Sequence, residues 1–134
     1  MSEHPNVELV RQCLDHVASG DMEGVAAMWA DNLNYYAFDE TGPPAEIQGR
    51  DEFLDMMRNG RQMVGDHAYD ILDIRAVGDE LVVAHLRMHA TSSRTGQKLT
   101  TDYLGVFRVR DDRLVMGCDF LNQETAQFME ELWA

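Results

Sequence analysis

The sequence is short of several things, and each shortage narrows what the chain does. It has only two cysteines in 134 residues, Cys13 and Cys118. They match no CxxC spacing, so they form neither a zinc ribbon nor a thiol–disulfide motif. They read as two reduced, buried thiols in a cytoplasmic protein. Basic residues are also scarce: 11 Lys and Arg face 24 Asp and Glu, a formal net charge of -13. Such a chain, with no basic cluster, repels a phosphate backbone, so nucleic acid and anionic membranes are poor partners. No stretch approaches the roughly 20 apolar residues that span a bilayer. The opening "MSEHPNVELVRQ" lacks the cationic start and apolar run of a signal peptide. No glycine-rich phosphate loop occurs, so no nucleotide cofactor is implied.

What is present is ordinary for a globular protein: 45% hydrophobic and 26% charged residues. The length suits one domain, residues 1–134, with a real core. The first third reads as helices. Val7, Val10, Leu14 and Val17 recur at helical spacing after Asn6, an expected N-cap, and Gly20 ends the run. Asp21 caps a second helix, "MEGVAAMWA", and "LNYYAF" follows as a short strand. "DETGPPAEIQG" reads as a loop. "RDEFLDMMRNGRQMV" reads as a third helix, with Phe53, Met56, Met57 and Met63 on one side. From Ala68 the period changes to 2, giving four strands joined by hairpin-like connections. "QETAQFMEELWA" closes the chain as an amphipathic helix. Helices followed by an antiparallel meander predict an α+β fold, with the helices laid against a curved, mainly antiparallel sheet.

"GDMEGVAAMWADNLNYYAF", "GRDEF" and "TGQKLTTDYLGVFRVRDDRLVMGCDFL" together resemble the SnoaL-like branch of the nuclear transport factor 2-like superfamily. Ketosteroid isomerases, polyketide cyclases and limonene-epoxide hydrolases belong there. The resemblance covers nearly the whole chain. It implies a cone-shaped α+β barrel around a pocket, and a homodimer through the outer face of the sheet. The ketosteroid isomerase residues fall on Cys13, Ala37 and Gly105, so that catalytic set is missing. The proton-donating Asp of limonene-epoxide hydrolase, on the last strand, coincides with Asp119. Its Arg and second Asp fall on Leu86 and Met88, and its water-holding pair falls on Asn34 and Tyr36 in swapped order. A one-residue shift would substitute Arg87 and His89 but turn Leu86 and Met88 outward. Polyketide cyclases also place an acid/base Asp at Asp119, with its partner at Gly105.

Alternation along "LVVAHLRMHAT" turns Val82, Ala84, Leu86, Met88 and Ala90 inward. The match turns Thr101, Tyr103, Gly105 and Phe107 inward on the next strand, and Val115, Gly117, Asp119 and Leu121 on the last. Leu104 and Val106 then face outward, which is apolar surface for a second subunit. An inward Asp119 loses hydration of its charged form, so its pKa rises and it serves as acid or base. The expected catalytic group is Asp119 with Tyr36 and Tyr103. The expected ligand contacts are Asn34, Trp29, Met57, Leu86, Met88, Thr101 and Leu121. His85 and His89, four residues apart on a strand, are roughly 13 Å apart and cannot share a metal. His16 and His67 read as surface or core residues. The expectation is a cofactor-free isomerase, cyclase or hydrolase acting on a small hydrophobic molecule. A non-catalytic ligand-binding or dimerisation module of the same fold stays open beside it.

Overall fold

The structure, a computed structural model, describes residues 3–38, 44–122 and 125, and their side chains except at 61, 63, 65 and 66. Two expectations therefore lie outside the described residues: the closing helix and the side chain of Met63.

Helix α1 spans Pro5–Ser19. Its cap is His4, whose ring accepts from the Asn6 amide, rather than Asn6 itself. Pro5 takes the first turn because its missing N–H is one of the donors a helix start leaves unpaired. Gly20 ends the helix at φ 76, a left-handed conformation open to glycine at little cost. Asp21 caps α2, Met22–Met28, accepting from the Gly24 amide at 3.0 Å. The chain then turns straight into β1, Trp29–Phe38, four residues earlier than the pattern predicts. The expected loop also holds a strand: β2, Ala45–Gln48, pairs antiparallel with β1. Helix α3 is Arg50–Met63, and β3 follows as Val64–Val77. Strands β4, Leu81–Ser92, β5, Lys98–Arg110, and β6, Arg113–Phe120, complete the meander. Asp111 and Asp112 turn between β5 and β6 with φ of 52 and 60, the geometry that matches strand twist in a two-residue hairpin.

The six strands form one curved sheet in the order β2-β1-β6-β5-β4-β3. All neighbours are antiparallel except β1 and β6, which run parallel. The sheet is open, so the cone is a wrapped layer and not a closed barrel. Helix α1 rests against β3 and β4, and α3 against β1, β2 and β3. Val10, Val25, Leu33, Val82, Leu86 and Leu114 are fully buried between the layers. No helix among the described residues is long and apolar enough to cross a membrane.

Strand alternation holds on β4 and β5, where Val82, Ala84, Leu86, Thr101, Tyr103 and Phe107 are buried. It slips on β6. Arg108 pairs with Met116 but Val109 pairs with Leu114, which leaves Val115 as an extra residue. Leu114 therefore joins the core in the place expected for Val115. Past this bulge the inward set is Gly117, Asp119 and Leu121.

Candidate active site

The inner side of the sheet and the three helices enclose a hollow of about 320 Å³. Most of its wall is apolar: Val17, Met22, Met56, Met57, Met88 and Leu121 stand around it. The polar groups come mainly from the strands. Tyr35 comes from β1, His67 and Tyr69 from β3, Tyr103 from β5 and Asp119 from β6, with Thr125 after it.

Asp119 sits between two minimal neighbours. Across one ladder it pairs with Gly105, and across the other with Ala37. Neither has a side chain long enough to fill the space before the carboxyl, and a Cβ at Gly105 would already come within 3.7 Å of Asp119 Oδ1. The Tyr35 hydroxyl donates to Asp119 Oδ2. Tyr35 can reach because Gly117 lies beneath its ring: a Cβ there would meet Tyr35 Cε2 at 2.6 Å and Trp29 Cη2 at 2.9 Å. Behind Tyr35 stand Phe53 and Trp29, at ring distances of 5.2 and 6.0 Å.

The surroundings set the proton affinities. Burial pushes the Asp119 carboxyl up to about 6, and the Tyr35 hydrogen bond, which favours the carboxylate, holds it from rising further. Burial also lifts the phenols of Tyr35, Tyr69 and Tyr103 above their ordinary range, and the Asp119 charge adds to this. All three therefore remain hydrogen-bond donors. The Tyr103 hydroxyl bonds to that of Tyr69, with the rings edge-on at 6.4 Å. Cys13 is buried beside this group, and burial pushes its thiol up to about 11, so it is a packing residue and not a nucleophile.

The structure brings Asp119, Tyr103, Met57, Met88 and Leu121 to the hollow, as the sequence places them. It does not bring Tyr36. That side chain is on the opposite side of β1, 6.4 Å from the Phe38 ring, and Tyr35 takes the place beside Asp119. Asn34 shares the outward side with Tyr36 and lines no part of the hollow. The signal was present: Leu33 and Ala37 are apolar, so the odd side of β1 is the inner one and Tyr35 belongs to it. Trp29 and Leu86 are core residues behind the wall, 1% and 0% exposed. Thr101 is buried behind Thr125, whose hydroxyl lies 2.9 Å away, and it accepts from the Asn122 amide at 2.8 Å. His67 was missed because β3 begins at Val64, so a residue assigned to its approach belongs to the sheet. Tyr69 lay inside the expected strand, but its inward direction was not read. His67 lies in the wall, its ring edge-on to that of Tyr69 with 4.8 Å between ring centres. His85 and His89 point outward to different carboxylates, Asp102 at 3.1 Å and Asp70 at 2.8 Å.

The Tyr35 contact gives a direct expectation. Tyr35→Phe removes a hydrogen bond that stabilises the charged carboxyl, so the Asp119 midpoint moves upward from about 6. Carbon-13 NMR titration of both proteins reads the difference, and an unchanged or lower midpoint contradicts the pairing.

The same fold is found in solved structures. An NTF2-like protein of unknown function from Burkholderia pseudomallei superposes with a TM-score of 0.80 at 22% identity, covering 100% of each chain. An LEH-like epoxide hydrolase of M. tuberculosis gives 0.73 at 21% identity, over 87% of this chain and 81% of the other. A Pseudomonas putida protein provisionally described as a polyketide cyclase gives 0.78 at 13%, over 88% and 92%. No curated protein matches the sequence. These identities establish a shared NTF2-like architecture and leave the chemistry to the site. The SnoaL-like domain pattern itself matches residues 10–116, most of the length, and the chain belongs to that family.

Proposed function

We propose that this protein binds a small, largely apolar, oxygen-bearing molecule in the hollow and moves a proton on it with Asp119. The observation that carries this is an ionisable carboxyl facing an apolar cavity, with its affinity raised to about 6 and phenol donors around it. Below that pH Asp119 is an acid; above it, a carboxylate base stronger than an exposed one. A bound apolar molecule displaces water from the carboxyl and raises its affinity further. Tyr35 orients Asp119, while the Tyr69–Tyr103 pair, in which Tyr103 donates to Tyr69, leaves the Tyr69 hydroxyl proton for a ligand oxygen. The hydroxyl pair and the carboxyl arise on separate strands of one rigid sheet, which fixes their spacing. Isomerisation, cyclisation and epoxide hydration all need such proton transfer.

The second reading is binding without turnover. Its specific support is that Leu86 and Met88, buried and half-buried, stand where an epoxide hydrolase of this superfamily would hold a further charged pair. One experiment separates the two. In heavy water, 2-tetralone exchanges its α-hydrogens by proton abstraction at carbon, which proton NMR follows. A positioned acid/base contributes about 100-fold or more, so wild type accelerates exchange strongly over Asp119→Asn. Equal rates in the two proteins leave only the binding role.

In this reading the protein works in the cytoplasm with both thiols reduced, and a second copy covers the outer face of the sheet. That face carries Leu104, 46% exposed, and Phe120, 45% exposed and stacked on Phe38 at 5.2 Å. Sedimentation velocity reads the state directly, and a monomer at all concentrations contradicts the second copy.

A further inference from the structure

Charge in the hollow is one-sided among the described residues. Among the described residues, Asp119 is the one carboxylate in its wall, and no Lys or Arg stands there. Its carboxyl accepts from Tyr35, a neutral donor. An ionised carboxylate held in an apolar enclosure without a counter-charge is costly, and the cost is removed by a proton or by a cation that enters. An anionic ligand would add to the cost and is disfavoured. Around the carboxyl stand the rings of Tyr35, Tyr69 and Tyr103, and ring faces attract cations through their quadrupoles. Beyond them lie the thioethers of Met22, Met56, Met57 and Met88, polarizable groups suited to packing on alkyl carbon. The net charge of -13 also draws cations toward the molecule.

We propose that the hollow takes an organic ammonium as a second ligand class, its charge on Asp119 and its carbon substituents on the tyrosine rings and methionines. The proposal rests on the pocket reading above but not on turnover. A methylated or alkylated ammonium fits better than a metal ion, because most of the surface it would meet is carbon. His67 is the other titratable group in the wall besides the phenols. Raising the pH ionises Asp119, which strengthens binding.

Choline and 3,3-dimethylbutan-1-ol have nearly the same shape and differ in charge. Titration calorimetry at pH 8 with wild type is expected to show choline binding at least tenfold more tightly. The preference shrinks at pH 5 and is lost in Asp119→Asn. In Tyr35→Phe, which keeps the ring, it persists. Equal or tighter binding of the alcohol at pH 8 overturns the ammonium and leaves the neutral-ligand reading standing. A preference that survives in Asp119→Asn also overturns it, because the selectivity then comes from overall charge. Absence of saturable choline binding overturns it as well, and 2-tetralone exchange remains an independent test of proton transfer.

Discussion

Asp119→Asn is expected to make the protein more stable at neutral pH while removing proton transfer. The carboxyl's affinity rises from 3.8 to about 6 on folding, chiefly through burial. Between those values the native state binds more protons than the unfolded one. Stability therefore falls as pH rises through this window and is level above it. The shift of about two units corresponds to about 3 kcal/mol of stability lost by pH 7.5. Asn carries no charge and so avoids this loss, and its carbonyl still accepts from Tyr35. Urea denaturation should place the variant about 2–3 kcal/mol above wild type at pH 7.5. The gap closes on acidification and is absent below about pH 4, where wild-type Asp119 is protonated in both states. A variant equal to or weaker than wild type at pH 7.5 contradicts the account. A residue that costs stability where it stands is what a functional site leaves behind.

Trp29→Ala is expected to cost about 3–5 kcal/mol, the range for deleting a large aromatic from a packed interior. Trp29 is 1% exposed and packs on Phe53 at 4.7 Å. The effect extends to the site, because Trp29 and Phe53 back the Tyr35 ring. With that support gone the Tyr35 hydrogen bond weakens, and the Asp119 midpoint rises as in Tyr35→Phe. Should Trp29→Ala fail to fold, Trp29→Phe keeps most of the volume and reports the same direction with a smaller loss. Denaturation near wild-type values places Trp29 outside the core.

The sequence was most legible where periodicity and burial agree. Val82, Ala84 and Leu86 alternate with His85 and Arg87, so the inner side of β4 follows from period alone. Asp119 came from the resemblance, since both sides of β6 are apolar and alternation cannot choose between them. Three features were hidden for physical reasons. The bulge at Val115 changes parity along β6, and nothing in "RLVMGCDF" marks it. Strand β2 is four residues within a stretch rich in turn formers, so its pairing to β1 depends on a distant partner. Tyr69 lies on a strand whose register shifts between Ile71 and Asp73, so the inward set passes from Tyr69 and Ile71 to Ile74 and Ala76 and a single period does not read it. Tyr35 was readable. Two adjacent tyrosines point to opposite sides of a strand, and Leu33 and Ala37 identify which of them is inside.

The small residues around Asp119 link sequence to chemistry. Gly105 and Ala37 flank the carboxyl and keep the space in front of it open. Gly117 gives the Tyr35 ring its place. Among the described residues the hollow has one carboxyl, with the phenols of Tyr35, Tyr69 and Tyr103 around it.

Everything turns on where the Asp119 carboxyl resides, and its protonation midpoint reports that directly. Carbon-13 NMR of selectively labelled protein, with the resonance assigned by its absence in Asp119→Asn, measures the midpoint. A value near 6 is predicted. A value near 4, ordinary for an aspartate in water, contradicts the enclosed carboxyl and the function built on it.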